Sequence, residues 1–188
     1  TESGEALFTD YGLSGVAAMQ CARAAGMACA QKKRVTLVLS LLPDWHAADV
    51  RRMMESRAVY WANAPMDRFF TGLLHKRIGL CLMQPLGISP TQTAASLTRE
   101  QLLALSERLQ AWHLPVLGTQ DLTQAQVTAG GADVSAFDPQ TLEATACPGL
   151  YATGELLDID GDCGGYNLLW AWIAGQNAAS NPLEGNIT

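Results

Sequence analysis

The residues of this chain that could do chemistry lie close together between Tyr151 and Trp172, in the run Y-A-T-G-E-L-L-D-I-D-G-D-C-G-G-Y-N-L-L-W-A-W. A short apolar stretch leads to Gly154, a carboxylate-rich loop follows, and Gly164 and Gly165 open a strongly apolar helix. Glycines allow a backbone to approach a flat ring or a phosphate, and a helix N-terminus offers unpaired N–H groups with a partial positive charge. This layout is typical of a site for a dinucleotide-type cofactor.

The same residues allow two plainer interpretations. A Gly-Gly pair before a helix is most often a tight turn, and a D-I-D-G-D run is most often a solvated loop or a hint of calcium. If Asp158 is the first ligand of an EF-hand loop, Cys163 takes the sixth place, which needs Gly, and Leu169 takes the twelfth, which needs Glu. The calcium interpretation fails at both places, and we predict no metal site.

The run resembles the C-terminal flavin-contacting segment of a bacterial family usually described as NAD(FAD)-utilising dehydrogenases or BaiN-type flavoproteins. Residues 7–15 (L-F-T-D-Y-G-L-S-G) resemble that family's L-F-T-x-x-G-L-S-G-P, and residues 127–131 (V-T-A-G-G) resemble its V-T-x-G-G-V. The departures are Val16, Ala132 and Leu169, where Pro, Val and Gln are usual. The family motif G-E-x-x-D-x-x-G-D-C-G-G-Y-N-x-Q-W-A is matched by Gly154, Glu155, Asp158, Gly161, Asp162, Cys163, Gly164, Gly165, Tyr166, Asn167, Trp170 and Ala171.

This resemblance implies that the chain belongs to an FAD-dependent oxidoreductase that takes electrons from NAD(P)H. Backbone N–H groups at the start of the last helix would face the N1–C2=O edge of the flavin, which gains negative charge on reduction. Glu155 or Asp162 would contact the ribityl chain or the pyrophosphate. Residues 128–131 would line the opposite side of the cofactor, although alone they suit an ordinary turn better. The predicted cofactor-binding residues are Thr128, Gly130, Gly131, Gly154, Glu155, Asp162, Gly164, Gly165, Tyr166 and Asn167.

The sequence contains no G-x-G-x-x-G, the motif that holds the FAD pyrophosphate in oxidoreductases with two dinucleotide-binding domains. We therefore expect a fragment, about the C-terminal half of a longer polypeptide. Such a fragment would lack bound FAD and activity on its own, and its partner would be the missing N-terminal FAD-binding half. The alternative is a non-catalytic insert or interaction module that binds no cofactor.

Composition narrows the class of protein. Of 188 residues, 48% are hydrophobic and 16% are charged, as expected for a globular chain. The net charge of −6 argues against a nucleic-acid partner, and no apolar run approaches the length of a membrane span. The five cysteines form no C-x-x-C pair, so we predict reduced thiols and a cytoplasmic location. No convincing catalytic residue is visible.

The pattern of elements predicts an α+β fold. The family resemblance implies its domains: a partial β-barrel-like insert at 1–42, a helical insert and return strand at 43–125, and the C-terminal segment of a Rossmann-like FAD-binding domain at 126–188. Helices are expected at 14–30, at 45–62 (with Asp44 as N-cap) and at 66–84, where the helix breaks near Gly72 or Gly79. A further helix is expected from a capping box at Thr98 to about residue 112, where Pro115 marks the end. A strand is expected at 34–42, a polar linker at 89–95 and a short buried strand before Gly154. The last helix, 166–179, is apolar nearly all round, so we predict that it is buried or causes self-association.

Overall fold

The computed structural model describes residues 1–180, and in them the chain is α+β, as predicted. The chain divides into two compact units. The helical unit comprises residues 34–116, and the discontinuous unit is formed by residues 1–33 together with the chain from 117 onward. The predicted domain boundaries at 42 and 125 stay a prediction, since compactness alone does not define family domains, and residues 181–188 of the predicted third domain lie outside the described residues. The described strands form two two-stranded antiparallel sheets and no closed barrel.

The helical unit begins and ends in one β-ladder. Strand β3 (Val35–Leu39) pairs antiparallel with β4 (Trp112–Val116), so that Val35 lies opposite Val116. Helix α2 (Ala47–Tyr60), helix α3 (Lys76–Met83) and helix α4 (Arg99–Gln110) lie between these strands in the chain. Because the ladder closes the unit, the chain enters and leaves it at neighbouring points.

Local signals predicted part of this unit correctly. Thr98 accepts a hydrogen bond from the backbone N–H of Gln101, whose side chain accepts one from the backbone N–H of Thr98, so the capping box is confirmed. The N-cap prediction at Asp44 was wrong, because a turn at residues 42–45 delays the start of α2 until after His46. Pro115 does not end a helix either: it lies within β4 opposite Thr36, as an outer strand permits.

A single apolar core holds the helical unit together. Its fully buried side chains come from α2, α3, α4 and the segment between α2 and α3: Val50, Met54, Met66, Phe69, Leu82, Leu105 and Leu109. Arg57 fixes the intervening segment by donating hydrogen bonds to the backbone carbonyls of Phe69 and Thr71. Burial lowers the pKa of the Arg57 guanidinium from its usual value. The predicted polar linker at 89–95 is part of this body, since Ala94 is buried in the core.

The discontinuous unit has far less regular structure. A hairpin of β1 (Leu7–Thr9) and β2 (Gly12–Ser14) leads into helix α1 (Val16–Ala30), and helix α5 (Tyr166–Ser180) closes the described chain. The short strand predicted before Gly154 was wrong: Tyr151 makes only an isolated bridge to Glu143. The buried residues of this unit form a small cluster: Leu142, Ala152, Leu157 and Ala174.

Helix α5 is not buried as its composition predicts. Ala174 is its one buried residue, while Leu168 is 79% exposed and Trp172 is 71% exposed. The small cluster beneath it can cover only one narrow side of an all-apolar helix. Within the described residues, no helix is both long and apolar enough to cross a membrane.

The core of the helical unit predicts different costs for two leucines of α4. Leu105 is fully buried, so Leu105→Ala should lower the free energy of unfolding by about 2–5 kcal/mol. Leu103 is 39% exposed, and Leu103→Ala should cost about 0.5 kcal/mol or less. Urea denaturation of the two variants measures both values. Equal losses would show that the core is not centred on this face of α4.

Candidate cofactor site

The discontinuous unit brings residues 128–132 and 154–158 side by side. The Ala132 N–H donates to the Leu156 carbonyl at 2.7 Å, and the Asp158 N–H donates to the Ala132 carbonyl at 3.0 Å. These two bonds form a parallel bridge between Ala132 and Leu157. Two predicted site segments, 28 residues apart in the chain at Gly130 and Asp158, are therefore in direct contact.

Glycine at position 131 makes this approach possible. A Cβ atom built there would lie 2.6 Å from the Leu157 carbonyl carbon and 2.7 Å from the Asp158 nitrogen, which is closer than real Cβ atoms come. Two backbones can pass at this distance only where one of them carries no side chain. This close approach explains why the last residue of the V-T-A-G-G motif is a glycine.

Carboxylates of the second segment bind backbone N–H groups of the first. Asp158 Oδ1 accepts from the Gly130 N–H at 3.1 Å, and Glu155 Oε1 accepts more weakly from the Thr128 N–H at 3.4 Å. Each carboxylate keeps a second oxygen for another donor. Asp158 was not among the predicted cofactor-binding residues. Its position in the matched family motif could have identified it.

Helix α5 packs its first turns against the same segment. The Trp170 Nε1–H donates to the Gly154 carbonyl at 3.2 Å, and a Cβ atom on Gly154 would lie 3.3 Å from the Ala171 Cβ. Gly154 has a φ of +62°, a left-handed conformation that favours glycine. Gly154 therefore serves both as a turn and as a contact surface for α5.

The turn before α5 is bare, in the sense that Gly164 and Gly165 carry no side chains, and it is exposed. Gly164 and Gly165 have φ values of +114° and +98°, and a Cβ atom on either would meet open space. Over the described part of the chain, none of the backbone N–H groups of residues 164–168 has an acceptor. The first turn of this 15-residue helix thus presents several free donors and the positive end of the helix dipole. An anionic or acceptor-rich group suits that position.

The remaining predicted residues lie around this turn. The Asn167 side chain accepts from the Gly161 N–H at 2.7 Å and donates to the Gly161 carbonyl at 2.9 Å. Tyr166 is 62% exposed, and the Asp162 side chain is exposed as well. All ten predicted residues therefore lie in one unit, with Thr128, Gly130, Gly131, Gly154 and Glu155 in one group and Asp162, Gly164, Gly165, Tyr166 and Asn167 in the other. Their roles toward a cofactor stay predictions.

The described chain contains no group of three or more His, Cys, Asp or Glu side chains arranged to hold a metal ion. Asp158 and Asp160 bind different groups: Asp158 accepts from the Gly130 N–H, and Asp160 pairs with Arg23 at 3.0 Å.

The close approach at Gly131 gives a direct test of the paired segments. Gly131→Ala should force them apart at a cost of about 1–3 kcal/mol, the usual range for overpacking. Amide hydrogen exchange at Ala132 and Asp158 should then be faster. Gly118→Ala is the matched control, because a Cβ there meets nothing within 4 Å. Unchanged exchange in Gly131→Ala would refute the pairing.

Comparison with known proteins supports the family resemblance. A family model described as the HI0933-like protein barrel and H2TH domain matches residues 1–127. The 3-dehydro-bile acid delta(4,6)-reductase of Clostridium scindens is 34% identical over 185 residues, which are 96% of this chain and 45% of that protein. This similarity confirms the resemblance to BaiN-type proteins.

Two further relatives carry a different activity in their names. The ribosomal RNA dihydrouridine synthase of Escherichia coli is 32% identical over 175 residues, covering 93% of this chain and 41% of that protein. The enzyme of the same name from Haemophilus influenzae is 28% identical over 174 residues, covering 92% and 41%. The chain thus spans less than half the length of each of these relatives. With a family model matched over residues 1–127, it belongs to the HI0933-like family.

Proposed function

We propose that the chain supplies one part of the cofactor site of an FAD-dependent oxidoreductase that uses NAD(P)H as electron donor. The observation that carries the proposal is the bare turn at Gly164 and Gly165, with free N–H groups behind it and open space in front. A flavin supplies hydride transfer when bound; the protein contributes position and electrostatics. In this proposal, the start of α5 would orient the N1–C2=O edge of the flavin. Residues 128–132 would line the opposite side of the cofactor.

The names of the relatives narrow the proposed reaction. A 3-dehydro-bile acid delta(4,6)-reductase acts on double bonds conjugated with a ketone. Dihydrouridine is uridine whose ring double bond, next to a carbonyl, has been reduced. Both activities add hydrogen to a carbon–carbon double bond activated by a carbonyl. We propose the same reaction class for the protein to which this chain belongs.

The uneven charge of the chain favours an anionic substrate. Residues 34–116 carry nine of the twelve Lys and Arg residues but six of the eighteen Asp and Glu residues, a formal charge of +3 against −9 for the rest. The negative net charge, which argues against a nucleic-acid partner, is therefore the sum of a positive helical unit and a negative remainder. Both a bile acid and an RNA are anions, so this charge fits either substrate class.

One depression of the helical unit suits such a ligand. Its volume is about 360 Å³, its apolar lining includes Met66, Phe70 and Met83, and Arg68, His75 and Lys76 line it as well. Lys76 also binds Asp67 at 2.7 Å. A larger depression of about 440 Å³ near the start of α2 is less suitable, because Asp44 and Asp49 there face a single Arg52. An apolar body with an anionic group fits the first one better.

We further propose that the exposed face of α5 is covered by sequence that the longer relatives have and this chain lacks. Leu168, Leu169 and Trp172 are each more than half exposed, which is costly for an apolar helix in water. The 188-residue chain alone should therefore self-associate, and Leu168→Glu with Trp172→Glu should reduce the association. Light scattering measures it; a monomer at all concentrations would contradict the proposal.

The cofactor proposal predicts flavin in the product of the complete open reading frame, measured as flavin absorbance per protein. There Gly165→Ala should weaken FAD binding about tenfold, since a Cβ would intrude on the open side of the turn and strain a φ of +98°. Gly87→Ala is the matched control, because Gly87 also has a positive φ (+66°) and open space but lies in the helical unit. Equal losses in both variants would remove Gly165 from the site.

The substrate proposal predicts that Arg68→Ala raises KM for an anionic enone or for a uridine-containing RNA by roughly 2–5-fold, as expected for an ion pair of an exposed arginine. Arg99→Ala, an exposed arginine at the start of α4, should leave KM unchanged. The substrate whose KM rises in Arg68→Ala identifies the substrate class. Equal KM values for the two variants with both substrates would contradict a role for the depression.

A further inference from the structure

Helix α1 contacts the turn before α5 although the two are far apart in the sequence. Gln20 Oε1 accepts a hydrogen bond from the backbone N–H of Cys163 at 2.9 Å, in a partly buried position. Arg23 Nη1 lies 3.0 Å from Asp160 Oδ1, and the Asp160 side chain is only 16% exposed. Gln20 and Arg23 are three residues apart, so they project from one face of α1.

A side chain of α5 also holds the turn. Asn167, in the first turn of α5, binds both the N–H and the carbonyl of Gly161 through its side chain. Residues 160, 161 and 163 are thus fixed by three side chains, while Gly164 and Gly165 remain bare. Glycines have more conformational freedom to lose than any other residue, so an unheld Gly-Gly turn would sample many conformations.

Charge gives Arg23 a second effect. Asp158, Asp160 and Asp162 place three carboxylates within five residues next to a turn that offers N–H groups to an acceptor. Asp158 already accepts from the Gly130 N–H. Arg23 pairs with the middle carboxylate and so reduces the repulsion that an approaching anionic group would meet.

We propose that Gln20 and Arg23 are positioning residues that hold the 160–165 turn in its cofactor-binding conformation. This inference rests on the proposed function, because it assumes that the turn receives a cofactor. It extends that site to α1, which follows the β1–β2 hairpin and shares with it the part of the chain that the family model matches. A ligand or substitution that displaces α1 would therefore alter cofactor affinity without touching the cofactor.

The first arm of the test uses hydrogen exchange in the 188-residue chain and needs no cofactor. Gln20→Ala removes the acceptor of the Cys163 N–H, so exchange at that amide should be about fivefold faster, as for a typical lost hydrogen bond. Gln20→Glu keeps an acceptor of the same length and should restore slow exchange. Met27→Ala, at an exposed position of α1, is the control. Unchanged exchange in Gln20→Ala overturns the inference.

The second arm measures the FAD dissociation constant in the product of the complete open reading frame. Gln20→Ala and Arg23→Ala should each raise it severalfold, Arg23→Lys should raise it less, and the denaturation midpoint should stay unchanged. If these three variants bind FAD with the same affinity as the unmodified protein, this inference alone is overturned. An unmodified protein that binds no FAD overturns the proposed function and this inference with it, whatever the exchange rates.

Discussion

The close approach of two backbones at Gly131 is the constraint on which the candidate site depends. Only a residue without a side chain can lie this near the Leu157 carbonyl and the Asp158 nitrogen. From that contact follow the bridge between Ala132 and Leu157 and the bond from the Gly130 N–H to Asp158. The second segment in turn carries Gly154, against which Trp170 and Ala171 place the start of α5. One hydrogen atom in place of a side chain therefore determines where the free N–H groups of α5 lie.

The two units differ in what stabilises them. The helical unit has a contiguous core, in which α2, α3 and α4 bury large side chains around Phe69. Burial of this apolar surface explains its fold. The discontinuous unit has a small cluster around Leu157, and individual hydrogen bonds between loops supply much of its order. Its apolar helix α5 remains largely exposed. A unit of this kind suits a site that is completed by another surface.

Sequence patterns predicted the features that depend on nearby residues. The capping box at Thr98, helix α1 and strand β3 all follow from spacing within a few residues. The candidate site was located by motif, and the structure gives physical reasons for two of its glycines, Gly131 and Gly154. The errors arose where distant residues decide the outcome. Pro115 entered a strand because β3 was available to pair with it.

The same limit applies to the site. Gln20 binds a residue 143 positions away, and no local pattern signals such a contact. Burial of α5 was wrongly expected because composition states what a helix needs but not whether a partner surface is present. Net charge has a related limit: a sum over the chain does not show that the positive residues are concentrated in 34–116. In each case, the missing information is how segments that are distant in the sequence come together in the folded chain.

Hydrogen exchange on addition of FAD tests the central claim most directly, in the product of the complete open reading frame. The account predicts that, within this chain, FAD slows exchange at the amides of residues 164–168 and around residues 128–132, and leaves residues 34–116 unchanged. Those amides have no hydrogen-bond acceptor elsewhere in the described chain, so protection that appears only on addition of FAD indicates a new acceptor at this position. Protection confined to residues 34–116, with residues 164–168 unaffected by saturating FAD, would contradict the account.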